Sequence, residues 1–280
     1  MEYNLLTPEE EQIIIHKGTE KPFSGKFHDQ KIPGFYTCKR CDASLYKSQD
    51  KFDPGCGRPC FETDITGATK REIDADGIRI ELLCARCDAH LGHMFEGESL
   101  TVKNVRHCIN SISLNFVPLE NTQRAIFASG CFWGPDFFFQ QARGVLLTTV
   151  GYTGGHTQNP TYKMVCTGTT GHAEAVEVIF DPDKISYEDL VKLFFQTHDP
   201  TQIDRQGPDI GKQYRSEIFY VDENQKTIAQ KLMDILKTKG YKLATRLSKA
   251  STFWKAEDYH QDYYMKKNDT PYCHKFTQRF

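Results

Sequence analysis

The distribution of apolar and polar residues gives the two halves of the chain different textures. Between about residues 19 and 118, short apolar runs alternate with polar positions and are interrupted by Gly, Pro and Asp, as at residues 78–83 and 111–117. Alternation over runs this short is typical of antiparallel strands. We therefore predict an all-β N-terminal domain.

The C-terminal half combines strand-like and helix-like periods. Strands are predicted at residues 125–128, 145–150, 174–180 and 216–221. Apolar positions with helical spacing lie between them, and an aromatic helix that starts near Pro135 follows the first strand. Strands that alternate with helices indicate an α/β domain with a mixed sheet in two layers.

Capping signals define three further helix starts. Thr7 is followed by Glu10 in a capping box, and this helix is predicted to run to Gly18. Ser186 and Asp222 each precede an apolar stripe with helical spacing. All three signals are local, because a side-chain oxygen satisfies a free N–H group within the first helical turn.

A polar stretch marks the predicted domain boundary. Residues 119–124 form a short linker, which assigns residues 1–118 to the N-terminal domain and residues 125–280 to the C-terminal domain. Two domains are also the usual number for a chain of 280 residues.

Composition and charge narrow the function classes. A net charge of -2 and a pI near 6.6 give no basic surface for nucleic acid or an anionic membrane. No apolar run approaches the roughly 18 residues of a spanning helix, and the first residues lack the basic and apolar regions of a signal peptide. We expect a cytoplasmic protein with neither a nucleic-acid nor a membrane partner.

Ten cysteines are unusual for a cytoplasmic chain of this length. Four of them form two C-x-x-C pairs: Cys38, Cys41, Cys84 and Cys87. Two such pairs fit the tetrahedral thiolate coordination of one structural zinc ion, with β-structure inserted between them. A redox-active dithiol is the alternative, but no thioredoxin-like βαβ pattern surrounds either pair.

One cysteine of the C-terminal half occupies a predicted strand-to-helix turn. Cys131 lies between Gly130 and Gly134, with Phe132 and Trp133 beside it. The dipole and free N–H groups of a helix N-terminus favour a thiolate, and the glycines let other groups approach the sulfur. We predict a reactive thiol. The alternatives are an inert buried cysteine and aromatic residues that belong to the core.

Glu174 begins a predicted strand whose apolar residues share its face. A carboxyl at the head of an apolar row is expected to have a raised pKa, to stay protonated and to act as a proton donor. The alternative is a solvated charge at the end of the strand.

The N-terminal half holds a second group of candidate residues. Cys56 lies between two glycines, and Arg106 precedes Cys108, whose thiolate a neighbouring positive charge favours. His90 and His93 can supply a proton near pH 7. The alternatives for these histidines are additional metal ligands or polar residues packed over the adjacent C-x-x-C turn.

Four segments of the N-terminal half resemble the B-type peptide-methionine sulfoxide reductases, which reduce the R epimer: residues 18–25, 51–57, 87–93 and 108–111. The resemblance implies an all-β domain with a four-cysteine zinc site distal to the active site. It implies these roles: Cys108 as nucleophile, Cys56 as resolving thiol, His90 and His93 near the sulfoxide oxygen, and Arg106 and Asn110 as supporting residues.

Two departures from the B-type pattern concern the active site. Arg58 stands where the family usually has a tryptophan that forms the pocket for the substrate methyl group. Cys60 stands where serine is common, and it competes with Cys56 as the resolving thiol. The sequence leaves open which of the two forms the disulfide with Cys108.

The C-terminal half resembles the A-type methionine sulfoxide reductases, which act on the S epimer. The resemblance is carried by residues 130–134, 151–155, 159–162, 171–176, 198–200, 205–207 and 213–216. It implies these roles: Cys131 as nucleophile, Glu174 as proton donor, Tyr162 and Tyr214 as hydrogen-bond donors to the sulfoxide oxygen, Asp209 in the polar network, Phe132 and Trp133 around the S-methyl group, and Cys273 as resolving thiol.

The two resemblances imply a B–A fusion that repairs both epimers of methionine sulfoxide, free or in proteins. They imply sulfenic acid and disulfide chemistry, regeneration by thioredoxin or a similar dithiol protein, and no organic cofactor. The alternative is an active A-type domain joined to a catalytically weak, zinc-containing B-type domain with a structural or regulatory role, which Arg58 favours. A nucleic-acid-binding zinc protein is a third interpretation, but the chain lacks a basic face.

Overall fold

The structure is a computed structural model that describes residues 3–280. Residues 1 and 2, which fall in the predicted N-terminal domain and in the segment interpreted as lacking a signal peptide, lie outside the described residues. The chain forms two compact units, one that ends at Thr122 and one that spans Gln123–Phe280. In the described residues, none of the helices has the length and apolar character needed to span a bilayer.

The N-terminal unit is rich in antiparallel sheet. Its described elements are the helix α1 (Pro8–Ile14) and the strands β1 (Gly34–Cys38), β2 (Ser44–Lys47), β3 (Lys51–Phe52), β4 (Cys60–Phe61), β5 (Thr69–Ile73), β6 (Ile80–Cys84), β7 (His90–Glu96), β8 (Val105–Ile109) and β9 (Leu114–Pro118). One sheet has the order β2-β1-β9 and the other the order β3-β4-β8-β7-β6-β5. The sheet content agrees with the predicted β-domain.

Two local predictions in this unit are wrong at their edges. Helix α1 has the predicted capping box of Thr7 and Glu10, but it ends at Ile14. The chain turns away there because Lys17 has a φ of 58° and the N–H of Gly18 bonds the carbonyl of Gln12 at 3.0 Å. Residues 111–117 are not one strand, because Ser111–Ser113 forms a 3-10 turn before β9.

The C-terminal unit is a mixed sheet with helices. Its described elements are β10 (Gln123–Ser129), α2 (Trp133–Gln141), β11 (Val145–Thr153), α3 (Tyr162–Cys166), β12 (Ala173–Phe180), α4 (Tyr187–Thr197), β13 (Arg205–Gln206), β14 (Asp209–Ile210), β15 (Ser216–Tyr220), α5 (Glu223–Thr238), β16 (Arg246–Lys249), β17 (Trp254–Lys255) and α6 (Tyr263–Lys267). The main sheet has the order β16-β15-β10-β12-β11-β17. Strands β15 and β16 are parallel and the other neighbours are antiparallel, which confirms a mixed sheet.

Helices α2, α4 and α5 contribute to one apolar core with one face of this sheet. Phe127 of β10 packs against Phe139 of α2 and Phe194 of α4, with ring centroids 5.1 and 5.3 Å apart. Ser186 and Asp222 accept hydrogen bonds from N–H groups in the first turns of α4 and α5, as predicted. The buried strand β10 therefore ends in a firmly packed turn, and Cys131 lies in that turn.

Candidate active sites and candidate metal centre

The flanking glycines determine what can approach Cys131. The residue is 9% exposed and lies just before α2. Gly130 has a φ of 95°, and a Cβ there would come within 2.5 Å of the Cβ of Gln206. A Cβ at Gly134 would come within 2.1 Å of Nδ1 of His274. Glycine is therefore required at both positions, because Gln206 and His274 pack against the turn that carries the thiol.

Glu174 is the buried acid of this site. It is 1% exposed, and its Oε2 accepts a hydrogen bond of 3.2 Å from the backbone N–H of Phe132. Burial raises its pKa to about 8, and the negative charge of Asp209 acts in the same direction. A carboxyl with this pKa is mostly protonated at pH 7. The prediction of a raised pKa is therefore confirmed, and the alternative of a solvated charge is wrong.

The prediction of a Cys131 thiolate is wrong for the resting site, although the backbone N–H at the helix N-terminus acts in the predicted direction. Burial raises the pKa of Cys131 well above its usual value, and the negative charge of Glu174 raises it further. The hydrogen bond from the N–H of Trp133 only partly opposes these effects. Desolvation outweighs the helix terminus here, so the thiol ionises more readily when Glu174 is neutral.

Aromatic rings enclose the space beside Cys131. The Trp133 ring stacks on Tyr263, with ring centroids 3.6 Å apart. The buried imidazole of His260 contacts the rings of Phe132, Trp133 and Tyr162 at 5.1, 5.6 and 4.5 Å between centroids. Neither ring nitrogen of His260 has a hydrogen-bond partner within residues 3–280. The enclosure is apolar on its walls and holds one imidazole with free polar atoms.

Tyr162, Tyr214 and Asp209 share the electrostatic environment of Glu174. Burial is the main cause that raises the pKa of each of these three groups. The charge of Glu174 raises the pKa of both phenols further, and the charge of Asp209 raises that of Glu174. Both phenols therefore keep their protons and can donate hydrogen bonds at neutral pH.

The irregular C-terminal segment anchors a second thiol near Cys131. Nε2 of His274 lies 2.6 Å from the carbonyl oxygen of Ser129, and Nδ1 of His274 lies 3.1 Å from Sγ of Cys273. A carbonyl only accepts, so Nε2 carries the proton and Nδ1 accepts from the thiol. Burial lowers the pKa of His274 to about 4 and raises that of Cys273 to about 12. The resting pair is thus a neutral imidazole and a thiol.

The N-terminal candidate residues meet on one face of the six-stranded sheet. Cys108 of β8 lies opposite Cys60 of β4 on one side and opposite His93 of β7 on the other. His93 in turn lies opposite Glu81 of β6. Directly opposed residues point to the same face of a sheet, so the register places the thiols, the imidazole and the carboxylate together.

Three thiols form a compact cluster on this face. Sγ of Cys56 lies 3.4 Å from Sγ of Cys60 and 3.9 Å from Sγ of Cys108, and all three sulfur atoms lie within 4.8 Å of one another. Nη1 of Arg106 is 4.0 Å from the sulfur atoms of both Cys56 and Cys60. Glu98 holds the guanidinium through contacts of 2.6 and 2.7 Å.

This cluster lowers the pKa of Cys108 to about 6. The hydrogen bond from Cys60 is the largest cause, and the positive charge of Arg106 contributes, while burial opposes both. Cys108 is therefore mostly a thiolate at pH 7, as the sequence predicts from the neighbouring basic residue.

The two histidines are held by carboxylates. Nδ1 of His90 lies 2.7 Å from Oε1 of Glu81, and Nε2 of His93 lies 2.7 Å from Oδ2 of Asp74. The ring centroids are 5.5 Å apart. Among the described residues, the groups that could hold a metal ion consist of cysteines alone, so the alternative of additional metal ligands has no support from the geometry.

Asn110 and Arg58 hold the same segment beside the site. Oδ1 of Asn110 accepts the N–H of Glu20 at 3.1 Å, and Nε of Arg58 donates to the carbonyl of Glu20 at 3.1 Å. The charge of Arg58 is also one of the minor causes that lower the pKa of Cys108. The residue that replaces the usual tryptophan therefore has a structural and an electrostatic part at this site.

A separate four-cysteine cluster has the geometry of a zinc site. The sulfur atoms of Cys38, Cys41, Cys84 and Cys87 are buried and lie within 4.8 Å of one another. The pairs Cys38–Cys87 and Cys41–Cys84 are each separated by 3.6 Å. Tetrahedral coordination with Zn–S bonds of about 2.3 Å requires sulfur atoms about 3.8 Å apart. The residues present therefore fit a zinc ion.

The two C-x-x-C turns have the same backbone geometry, which explains how they converge. Cys38 and Cys84 each donate their N–H to the carbonyl of the residue five positions on, Ala43 and Ala89. Asp42 and Asp88 both have a φ of 58°. Each turn thus presents two sulfur atoms on one side, and the β-structure between the pairs brings the turns together.

Sequence reasoning missed several residues that shape these sites. His274 and His260 lie in the C-terminal segment, where the only signal is a high content of histidine and aromatic residues. Asp74 and Glu81, which hold the histidines, carry little signal as isolated acidic residues in the β-region. Glu81 lies in the alternating run 78–83, where Arg79 and Glu81 are the polar positions expected of a strand and give no indication of a site.

Comparison with known proteins identifies the family. A family model for peptide methionine sulfoxide reductase matches residues 123–279, and a model for the SelR domain matches residues 6–118. The chain belongs to the peptide methionine sulfoxide reductases. The order of the two matches is that of a B-type domain followed by an A-type domain, as the sequence predicts.

Individual relatives of this reductase agree. Peptide methionine sulfoxide reductase MsrA of Methanosarcina acetivorans is 52% identical over 153 residues, which are 54% of this chain and 81% of the relative. The MsrA of Acinetobacter baumannii (strain AYE) is 50% identical over 151 residues, which are 54% of this chain and 87% of the relative. The crystal structure of reduced Mxr1 from Saccharomyces cerevisiae matches with a TM-score of 0.54 and 32% identity, and the match covers 57% of this chain and 94% of Mxr1.

Proposed function

We propose that the chain is a bifunctional methionine sulfoxide reductase that reduces the R epimer at Cys108 and the S epimer at Cys131. The main support is that each unit holds a candidate nucleophilic cysteine, a second thiol in the same region and groups that can donate a proton. Each unit has its own nucleophile, second thiol and proton donors, which supports independent action of the two sites.

At the C-terminal site, Sγ of Cys131 attacks the sulfur of the sulfoxide while Glu174 donates a proton to its oxygen. Methionine leaves as the thioether and the oxygen stays on Cys131 as a sulfenic acid. The buried carboxyl supports this role, because its pKa of about 8 keeps it protonated at pH 7.

Substrate binding at this site follows from the surrounding groups. The rings of Phe132 and Trp133 enclose the S-methyl group, which needs an apolar surface. The phenols of Tyr162 and Tyr214 donate hydrogen bonds to the sulfoxide oxygen, and the charge of Asp209 adds to the effect of burial, which is the main cause of the raised pKa of Glu174.

Cys273 then resolves the sulfenic acid. Its thiol attacks the Cys131 sulfur, water leaves, and a disulfide forms. Nδ1 of His274, 3.1 Å from Sγ of Cys273, accepts the proton of that thiol. The role of His274 as proton acceptor is supported by its hydrogen bond to the Ser129 carbonyl, which holds the imidazole in place.

At the N-terminal site, the Cys108 thiolate attacks the sulfur of the R epimer. His90 and His93 lie on the same sheet face and supply the proton to the sulfoxide oxygen. Arg106 stabilises the thiolate, and Asn110 supports the substrate site from the adjacent turn.

The four-cysteine zinc site has a structural role in this proposal, because Cys38, Cys41, Cys84 and Cys87 would fill all four positions of a bound zinc ion and leave none open for substrate. The disulfides of both sites are reduced by thioredoxin or a similar dithiol protein. Thiol–disulfide exchange needs no organic cofactor.

Two single substitutions in the full chain test the proposal. Cys131→Ser should abolish reduction of the S epimer and leave reduction of the R epimer largely intact, and Cys108→Ser should do the reverse. Stereochemically pure dabsyl-methionine sulfoxides provide the assay. If either substitution removed both activities, the two sites would not be independent.

The same variants address the second candidate function, an active A-type site joined to a catalytically weak B-type domain. Arg58, in place of the usual tryptophan, favours it, because a guanidinium fixed to the Glu20 carbonyl presents less apolar surface to a methyl group. In that case Cys131→Ser protein would retain a zinc-containing fold but would reduce the R epimer only marginally.

A further inference from the structure

We propose that Cys60 is a third redox-active thiol of the N-terminal site and that each turnover ends in a Cys56–Cys60 disulfide, which frees Cys108 before an external reductant acts. The proposal rests on the R-epimer reduction inferred above. It goes beyond it, because a single resolving thiol is sufficient for the reaction.

The distances within the cluster support an exchange among all three thiols. Sγ of Cys56 is 3.4 Å from that of Cys60 and 3.9 Å from that of Cys108, and all three sulfur atoms lie within 4.8 Å of one another. Cys56 is therefore closer to Cys60 than to the nucleophile. Cys60 and Cys108 are direct cross-strand partners, and the bond from the N–H of Ile109 to the carbonyl of Pro59 makes them a non-hydrogen-bonded pair, whose side chains lie closest.

The solvent exposures of the three thiols also favour a Cys56–Cys60 disulfide as the final state of each turnover. Cys60 is fully buried and Cys108 is 8% exposed, whereas Cys56 is only partly buried. Cys56 lies in a turn between Gly55 and Gly57, which have φ values of 78° and 72°, and a Cβ at Gly55 would meet no atom within 4 Å. A reductant therefore reaches Cys56 more easily than either of the other two sulfur atoms.

The charges of the cluster favour Cys108 as the leaving thiolate, whereas the hydrogen bond with Cys108 and burial raise the pKa of Cys60 well above its usual value, so Cys60 loses its proton as it attacks. The guanidinium of Arg106 lies 4.0 Å from the sulfur atoms of both Cys56 and Cys60. A cation in this position stabilises whichever thiolate attacks or leaves. Cys108 is a good leaving group, because its pKa of about 6 means that it departs as a stable thiolate.

The steps balance without an added oxidant. Cys108 takes the oxygen of the sulfoxide and becomes a sulfenic acid, and methionine leaves. The Cys56 thiol attacks the Cys108 sulfur, which gives a Cys56–Cys108 disulfide and water. Cys60 then attacks the sulfur of Cys56, which forms the Cys56–Cys60 bond and releases Cys108, and the proton of Cys60 passes to the solvent or to Cys108.

Counting methionine in the absence of reductant tests this scheme. Fully reduced, zinc-loaded full-length protein is mixed with an excess of R-dabsyl-methionine sulfoxide. The wild type should form two methionines per chain, because the freed Cys108 reacts a second time and stops as a sulfenic acid. Cys60→Ser should form one, since the Cys56–Cys108 disulfide then ends the reaction. Cys166→Ser, which removes an exposed thiol of the other unit, should form two.

Disulfide mapping by mass spectrometry gives the second measurement. The wild type should contain Cys56–Cys60 and Cys60→Ser should contain Cys56–Cys108. One methionine per wild-type chain together with a Cys56–Cys108 disulfide would overturn the proposal. Serine is common at position 60 in the family, so Cys60→Ser is expected to fold.

A peroxide experiment keeps the relay testable if the R epimer is not a substrate. Hydrogen peroxide converts the Cys108 thiolate into the same sulfenic acid and releases hydroxide, which takes up a proton from the solvent. If no methionine forms but peroxide yields Cys56–Cys60, the proposed activity fails and the relay stands. If peroxide yields Cys56–Cys108, or if Cys108→Ser forms Cys56–Cys60 as fast as the wild type, the relay fails.

Discussion

In the proposed mechanism, the two sulfur sites of this chain are prepared for the same reaction in opposite ways. In the N-terminal site, a hydrogen bond from Cys60 and the charge of Arg106 lower the pKa of Cys108 to about 6. In the C-terminal site, burial and the charge of Glu174 raise the pKa of Cys131, and burial raises that of Glu174 to about 8. At pH 7 one site therefore holds its nucleophile ionised, and the other holds its acid protonated.

The difference follows from what surrounds each thiol. Cys108 lies on a sheet face among polar and sulfur-containing neighbours, where a thiolate finds hydrogen bonds and a cation. Cys131 lies in a closely packed turn beside a carboxyl, where a negative charge is poorly solvated. In the proposed mechanism, attack by Cys131 is thus coupled to proton donation by Glu174, whereas Cys108 is ionised before substrate arrives.

The largest expected effect comes from loss of zinc, which should inactivate the N-terminal site and leave the C-terminal site active. The wild type should contain about one zinc ion per chain. Cys38→Ser should lower this zinc content, unfold the N-terminal unit and abolish reduction of the R epimer. In small zinc-dependent folds the metal contributes about 10–16 kcal/mol, as much as the whole stability of a typical domain. Elemental analysis, thermal unfolding and the epimer-specific assay measure the three results.

The matched control for this change is Cys166→Ser, which removes an exposed cysteine outside both clusters. S-epimer reduction should survive in Cys38→Ser protein, because the C-terminal unit holds its own core and site. Full thermal stability of a zinc-free wild type would contradict a structural role of the metal.

A smaller effect is expected from Glu174→Gln, which removes the acid and keeps the shape. The turnover number for the S epimer should fall by about 10²–10⁴, the usual contribution of a general acid. Wild-type activity should decline as the pH rises above about 8, because Glu174 then loses its proton, and this decline should vanish in the variant. Initial rates between pH 6 and 9 provide the measurement.

Glu177→Gln is the control for this prediction. Glu177 lies on the same strand but pairs with Arg124 and is only partly buried, so its substitution should leave the S-epimer rate and its pH profile unchanged. Equal losses in both variants would mean that the effect comes from the strand and not from proton donation.

The parts of the fold that sequence predicts well are those set by local contacts. Thr7, Ser186 and Asp222 start helices as expected, because each cap is decided by atoms within four residues. The predicted end of α1 is wrong. The backbone of Lys17 is left-handed and the N–H of Gly18 bonds the carbonyl of Gln12, so the helix ends about one turn earlier than expected.

The sites themselves depend on sheet register, which the sequence does not encode locally. The cysteine motifs predict which residues matter, but that Cys60 and His93 flank Cys108 follows from the pairing of three strands. The sign of the Cys131 pKa shift is also a long-range property, because the helix terminus is visible in the sequence and the burial that outweighs it is not.

The smallest expected effect concerns the cause of the low pKa of Cys108, which distinguishes the N-terminal site from the C-terminal site. Arg106→Met removes the charge near the three thiols and retains an apolar stem over the ring of Phe95, which the guanidinium now covers at 4.3 Å. The pKa of Cys108 should rise from about 6 by about one unit, so the thiolate fraction at pH 6 falls several-fold. The alkylation rate of Cys108 as a function of pH measures this shift.

Two comparisons decide whether charge is the cause. Arg106→Lys keeps a cation and should shift the alkylation midpoint less than Arg106→Met does, whereas loss of the contact with Glu98 alone would affect both variants equally. The hydrogen bond from Cys60 remains the larger cause, so the midpoint should stay below the usual pKa of a free thiol, about 8.5. An unchanged midpoint in Arg106→Met would assign the whole effect to the neighbouring thiols, and the contrast between the two sites would then depend on sulfur alone.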